Sequence, residues 1–393
     1  MALSVSHHAV LTGSPAADRR YRPLVESVFA RADIRIDGDR AWDIRVHHDR
    51  FFRRVHAGRD LGLGESYMDG DWGCDRLDEL ASRLFAAGIH RRGLGATDLL
   101  DRFIARLISR QTAARVRRDV APHYDLGNDL FEAMLDTRHM AYTCAYWRSG
   151  APTLEEAQEA KLDLVCRKLA LAPGLRVLDI GCGWGGFARF AAERYGVTVT
   201  GITLSQEQAR LATKRAQGLP VEFRVQDYRE VSGQFDRVVS IGCLEHVGHR
   251  NHRRFFEIVR CCLADEGHAL VHVIGVCGTQ YRVGRFIDKY VFPLVNPPSL
   301  LQIGRAIDGL FVLDDLQNIG TDYDRTAVEW NRRFQEAWPS LESRYGHLLG
   351  GRFKRMFEFY LLTSAGYFRS RHAHVWQMVL TPPGAAQPVC RFS

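Results

Sequence analysis

The chain has 393 residues, 46% of them hydrophobic, and carries a formal net charge of +7. That apolar content supports a large buried core and excludes a disordered chain, while the length suggests about two domains. The charge fits an anionic partner, nucleic acid or an anionic membrane surface, without choosing between them.

Residues 1–20 are small and polar and read as a flexible N-terminus without the apolar stretch of a secretory signal. No run approaches the length of a bilayer span, so a cytoplasmic chain is expected. The nine cysteines are scattered, odd in number and without a Cys-x-x-Cys pair, so neither a disulfide framework nor a metal site is predicted. Residues 21–90 read as a smaller α+β module. Ile34–Ile36 and Trp42–Val46 alternate apolar and polar residues as half-buried strands do, with a turn signal at Asp37-Gly38, and a helix is expected over Leu77–Ala87. Residues 91–120 form a basic amphipathic linker: between Arg91 and Arg118 eight arginines stand against two aspartates. It reads equally as a helix packed on a domain or as a segment approaching anionic lipid headgroups.

The larger unit spans 121–393. Apolar runs at Arg176–Ile180, Val197–Ile202, Val221–Val225, Phe235–Ile241 and His268–Ile274 alternate with helical stretches at Phe187–Arg194, Gln206–Ala216 and Arg253–Leu263. This alternation predicts an α/β fold with a doubly wound, Rossmann-like parallel sheet. Tyr290–Pro298 leaves the pattern; it is apolar and broken by proline, as a groove lining or an ordinary loop would be. Ala327–Phe368 reads as helical and aromatic.

The stretch Arg176-Val-Leu-Asp-Ile-Gly-Cys-Gly-Trp-Gly-Gly186 runs from strand through glycines into a helix, which suits a ligand at the strand's C-terminal end beside Asp179. An NAD fingerprint wants an acid about 20 residues on. Here the next strand runs into Gly201-Ile-Thr-Leu-Ser-Gln206, with no acid. The glycine stretch resembles the first motif of S-adenosylmethionine-dependent methyltransferases.

Longer motifs narrow this. Gly62–Gly70, Pro122–Phe131, Tyr142–Trp147, Leu244–Gly248, His272–Gly275 and Asp322–Asp324 resemble, in order and spacing, those of the bacterial cyclopropane fatty acyl phospholipid synthases, relatives of the mycolic acid cyclopropane synthases. The resemblance covers residues 33 to 380. It implies transfer of a methylene from S-adenosylmethionine to the cis double bond of an unsaturated membrane phospholipid, forming a cyclopropane ring. It further implies a homodimer on the anionic inner face of the cytoplasmic membrane, with residues 21–90 as a lipid-binding and dimerisation module and no nucleic-acid partner. The family's base is a bound bicarbonate, and likeness puts its site at the catalytic set Cys144, Glu245, His272 and Tyr323. Likeness also assigns the cofactor to Tyr142, Thr143, Asp179, Gly181, Gly183, Thr203, Ser205, Gln206, Gln208, Asp227 and Tyr228.

The chemistry accounts for these residue types. An alkene is a weak nucleophile and needs the sulfonium methyl; transfer leaves a carbocation, and loss of a proton from the new methyl closes the ring. Such a pocket is dry, with aromatic faces near the cation, for which Tyr142, Tyr146, Trp147 and Tyr323 are candidates. Two positions depart from many relatives: Ser364 replaces a cysteine and Leu244 a phenylalanine. Two other readings stay open, a lipid methyltransferase giving branched or methylene chains, and a non-catalytic lipid- or nucleic-acid-binding protein.

Overall fold

The computed structural model describes residues 18–89, 127–280 and 283–392. The basic linker and the start of the Pro122–Phe131 motif lie outside the described residues. The N-terminal part contains α1 (Arg22–Ala30), β1 (Arg45–Val46), α2 (Arg50–Met68), β2 (Trp72–Gly73) and α3 (Leu77–Ala86). The larger part follows with α4 (Asn128–Met134), α5 (Leu154–Lys168), β3 (Arg176–Ile180), α6 (Gly186–Tyr195), β4 (Thr198–Thr203), α7 (Gln206–Arg215), β5 (Val221–Val225) and β6 (Phe235–Ile241). It continues with α8 (Leu244–Val247), α9 (His252–Cys262), β7 (Leu263–Val276), α10 (Arg285–Tyr290), α11 (Leu300–Ile307), β8 (Val312–Asn318), α12 (Asp322–Tyr345), α13 (Phe353–Arg369) and β9 (Ala373–Thr381).

A seven-stranded sheet runs in the order β5-β4-β3-β6-β7-β9-β8. β3 to β7 are parallel, and β9 enters antiparallel between β7 and β8. Alternate residues serve opposite faces, as strand geometry requires. Val177, Val199 and Leu270 pack with Leu162, Val165 and Phe190 of α5 and α6. Leu178, Ile202 and Ala269 pack with Phe255, Phe256 and Ile303 of α9 and α11. The chain leaves β3 on both sides, toward β4 and toward β6, so a crevice opens at its C-terminal end.

The five expected parallel strands are present, with β7 longer than expected. The N-terminal strands differ from expectation. Ile36 and Ile44 share a single bridge, and β1 and β2 pair over two residues. Buried Asp43 explains this: its carboxylate accepts from the Arg35 and Arg40 backbone N–H groups at 2.8 and 3.1 Å, in place of a ladder. The alternation there reflects burial of Ile34 and Ile44 in one cluster with Phe51, Phe52 and Trp72.

That cluster continues into the larger unit. α3 lies on α13 so closely that a Cβ on Gly366 would stand 2.4 Å from the Asp78 carbonyl. The Ala365-Gly366 pair is therefore a packing feature, and the neighbouring Ser364 is half-buried. Arg369 joins the two parts, pairing with Asp324 at 2.9 Å, Asp78 at 2.6 Å and Glu79 at 3.1 Å.

Candidate active site

The crevice at the ends of β3, β4 and β6 is a cavity with about 1360 Å³ of space, its open mouth included. Its floor is the glycine turn. Gly181 has φ +82°, and a Cβ there would press 2.9 Å from the Cys243 Cβ, so no other residue fits. Every sequence-assigned cofactor residue lines this cavity except Gln206, which is exposed on the first turn of α7. The polar wall beyond β4 is held by its own bonds. Ser205 caps α7, accepting from the Gln208 N–H at 3.2 Å, and Thr203 Oγ1 donates to Gln208 Oε1 at 2.8 Å. Beyond β5, the Asp227 carboxylate accepts from Arg229 Nε and Nη2 at 2.8 and 2.6 Å, and the Tyr228 ring meets Phe255 edge-on.

The loop from Met140 to Cys144 closes another side. Gln158 and Lys161 of α5 hold it from beneath: Gln158 Nε2 donates to the Ala141 and Thr143 carbonyls at 3.2 and 2.8 Å, and Lys161 Nζ donates to Thr143 Oγ1 at 3.0 Å. Tyr142 sits among aromatic rings, with centroids 5.1 Å from Trp330, 5.3 Å from Phe131 and 6.2 Å from Phe292. Its hydroxyl is 2.9 Å from that of Tyr360. Trp147 faces elsewhere: its indole donates to Thr326 Oγ1 at 2.9 Å and Arg325 lies over its ring at 3.9 Å. Neither Trp147 nor Tyr146 lines the cavity; Tyr142 does, and the rings of Trp330, Phe292 and Phe131 pack around it, with the Tyr360 hydroxyl beside its own.

The four residues assigned to the base site come from four separate segments and lie beside the cavity rather than on its lining. β6 and β7 bring two of them together: Ile241 is in register with His272, and the Gly242 N–H donates to the His272 carbonyl at 2.9 Å. Glu245 follows on α8, 3% exposed, with Oε1 3.5 Å from the Ile274 N–H and Oε2 without a partner among the described residues. Burial raises the Glu245 carboxyl to about 7. His272 is 2% exposed, and burial drives its pKa well below the usual value, with the Lys161 and Lys168 charges adding to the shift. The imidazole is therefore neutral. Gln377 on β9 stands opposite in register, its amide nitrogen 3.4 Å from Nδ1; when that amide donates, the neutral ring carries its proton on Nε2.

Tyr323 opens α12, stacked on Phe368 at 4.4 Å and edge-on to Trp330 at 5.6 Å. Its neighbour Asp322 accepts from the Trp147 N–H at 3.0 Å, tying α12 to the loop that carries Cys144. The buried Cys144 thiol donates to the Ala145 and Ile319 carbonyls, and burial raises its pKa well above the usual value. It stays protonated. The apolar Tyr290–Pro298 segment closes over this corner: the Asn296 N–H donates to the Glu245 carbonyl at 2.8 Å, and Phe292 meets His246 edge-on at 5.7 Å.

Sequence reasoning missed Gln158, Lys161, Gln377, Trp330 and Tyr360. Two of them carried a signal. Gln158 and Lys161 share the buried face of α5 with Leu154, Ala157, Leu162 and Val165, positions where an unexplained polar residue asks for a partner.

The family model for mycolic acid cyclopropane synthetase matches residues 111–378. The cyclopropane-fatty-acyl-phospholipid synthase of Escherichia coli (strain K12) is 46% identical over 365 residues, which cover 93% of this chain and 94% of that one. The tuberculostearic acid methyltransferase UfaA1 of Mycobacterium tuberculosis is 32% identical, covering 88% of this chain and 84% of that one. Among solved structures, the mycolic acid cyclopropane synthase CmaA1 complexed with SAH and CTAB superposes with a TM-score of 0.62 at 30% identity, covering 67% of this chain and 97% of that one.

Proposed function

The chain belongs to the mycolic acid cyclopropane synthetase family, and on that premise we propose that it is an S-adenosylmethionine-dependent synthase that converts the cis double bond of an unsaturated phospholipid acyl chain into a cyclopropane ring. The observation that carries this beyond methyl transfer is the buried Glu245 carboxylate, whose Oε2 has no partner among the described residues, together with the neutral His272 on β7, in register with the end of β6 that leads into Glu245. That pairing of an acceptor and a donor fits bicarbonate, which has one O–H and two other oxygens. Bicarbonate, when bound there, supplies the base that ring closure needs. Glu245 would accept its O–H, His272 and Tyr323 would donate to it, and Cys144 would contribute its backbone N–H, since its thiol already serves the Ile319 carbonyl.

The remaining side chains set the medium. Asp179, Thr203 and Gln208 hold the methyl donor at the sheet edge. The rings of Tyr142, Trp330 and Phe292 exclude water, which would trap the carbocation, and offer it their π faces. Phe292 and Asn296 belong to the apolar segment that covers Glu245. Basic charge suits anionic headgroups, and a peripheral homodimer on the inner membrane face is part of the same proposal. Among the described residues no helix is long and apolar enough to cross a membrane.

Expression in a bacterial host lacking cyclopropane lipids, followed by analysis of fatty acid methyl esters, tests the proposal. Cyclopropane chains one methylene heavier than their parents are expected. Methyl-branched chains would establish the methyltransferase reading instead, and unchanged chains despite folded protein would refute both.

A further inference from the structure

The end of the sheet on which the crevice opens also carries an apolar pair that packing leaves uncovered. Past the segment that covers Glu245, the Pro298 carbonyl accepts from the Val276 N–H at 3.0 Å, at the C-terminal end of β7. α11 starts at once. Ser299 fixes its first turn by a capping box, accepting from the Gln302 N–H at 3.3 Å while Gln302 Oε1 accepts from the Ser299 N–H at 2.9 Å. The helix buries Ile303, Ala306 and Ile307 among the side chains of α9. Leu300 and Leu301 stay 48% and 56% exposed. A lone exposed leucine needs no explanation; two side by side on a capped turn, at the end where the site opens, mark a surface that meets an apolar partner. The charge around them is basic. Arg305, one turn on from Leu301, is exposed and makes no ion pair among the described residues. α9 adds exposed Arg253 and Arg254, both 3.4 Å from the one carboxylate of Glu257, and Arg253 also donates to the Ala306 carbonyl at 3.4 Å. Asp308, at the end of α11, is the second acid. Exposed leucines flanked by an excess of guanidinium are the composition of a segment that lies in the interface of anionic lipid.

We propose that the first turn of α11 enters the interfacial layer of an anionic phospholipid bilayer, with Leu300 and Leu301 below the headgroups and Arg305, Arg253 and Arg254 on their phosphates. This rests on the reading that the substrate is a membrane phospholipid, and it places the contact in the larger part of the chain. Docking there brings the segment that covers Glu245 to the bilayer, since that segment runs into α11 without a break. The leucines supply apolar burial and the arginines an attraction that salt screens.

Sedimentation of the full-length protein with fluid vesicles of saturated phosphatidylglycerol tests this apart from the reaction, because saturated chains offer no double bond. The double variant Leu300→Ser, Leu301→Ser is expected to bind about 10- to 50-fold more weakly. Val225→Ser, at a residue 51% exposed on the far edge strand β5, is expected to change binding less than about 2-fold. Equal binding of the double variant and the parent, or an equal loss for Val225→Ser, overturns the proposal. So does a change of oligomeric state in the double variant by light scattering, which would make the pair a contact between copies of the chain. Arg305→Glu, which alters no buried residue, keeps the test open if the double variant misfolds. It is expected to weaken binding to phosphatidylglycerol about 5- to 30-fold and to phosphatidylcholine less than about 2-fold. Equal losses on the two lipids overturn the headgroup contact. A parent that forms cyclopropane chains in cells yet does not bind these vesicles overturns the docking surface and leaves the reaction standing. A parent that binds them through Leu300 and Leu301 but forms no product refutes the reaction alone.

Discussion

The cofactor wall and the base site lie side by side but are built in opposite ways. The wall beyond β4 comes from one short stretch in which Thr203, Ser205 and Gln208 satisfy one another. The proposed base site draws on residues 144, 245, 272 and 323, and around it Glu245 Oε2 and Gln377 Oε1 are without partners among the described residues. A locally satisfied wall is rigid before ligand arrives. A site assembled from distant segments, with desolvated and unpaired groups, is held against its own electrostatics by the packing around it. The difference teaches how the two are built: the wall beyond β4 is made locally, while the corner that holds Glu245 and His272 depends on tertiary structure.

The comparison breaks most visibly at Glu245. Glu245→Gln keeps the shape but loses the acceptor charge, and turnover is expected to fall by about 10²- to 10⁴-fold. Affinity for S-adenosylhomocysteine, measured by calorimetry, is expected to stay within about 3-fold, because the cofactor wall is built separately. A parallel loss of affinity would show that the two regions are one.

The same residue is expected to reveal the strain of the base site in the ligand-free protein. Its carboxyl is raised from 4.5 to about 7 in the folded chain. Below about pH 4.5 both states hold the proton and nothing is lost. As pH rises toward 7 the unfolded chain ionises first, so the folded state loses stability, up to about 3 kcal/mol once both are ionised. Glu245→Gln does not titrate. Its melting temperature is expected to exceed that of the parent above pH 7, with the gap closing as pH falls to about 4.5. A gap independent of pH would mean that the carboxylate is not desolvated. In turnover, kcat/KM is expected to rise through about pH 7, as the acceptor form of Glu245 appears.

Gln377 bears on that assembly, since it faces His272 across β7 and β9 and does not line the cavity. Gln377→Leu leaves Nδ1 without its donor and frees the tautomer. Turnover is expected to fall about 10-fold, with the KM for S-adenosylmethionine unchanged and the pH profile altered. A change in KM alone would assign Gln377 to packing.

The same contrast governs what could be read from the chain. Strands β3 to β6 lay within about a residue of their predicted runs, because each carries β-branched or aromatic residues between turn signals, and the glycine turn marked the ligand edge. β8 escaped because its sequence Val-Leu-Asp-Asp-Leu-Gln-Asn is that of a polar edge, and β9 because nothing local says that it inserts antiparallel between β7 and β8. In the site, Thr203, Ser205 and Gln208 were assigned through family likeness, at the end of a strand that the apolar run already marked. Cys144, Glu245, His272 and Tyr323 were reachable only through family likeness, and Gln377 and Trp330 not at all, since their partners are set by folding. Gln206 misled for a physical reason: in the first turn of a helix, adjacent residues point about 100° apart, so Ser205 and Gln208 face the cavity while Gln206 faces water.

The smallest expected effect lies on the local side of the comparison. Ser205→Ala removes the cap that holds the start of α7, and the Gln208 N–H loses its acceptor. Such a cap is worth about 1 kcal/mol. Because Gln208 also receives Thr203 Oγ1–H, the loss is expected to pass into binding: a few-fold rise in KM for S-adenosylmethionine, with kcat at saturation unchanged and a small drop in melting temperature. A fall in kcat at saturating cofactor would mean that the wall reaches into the chemistry. Unchanged kcat would leave the base site as the part of the molecule in which a single side chain governs the rate.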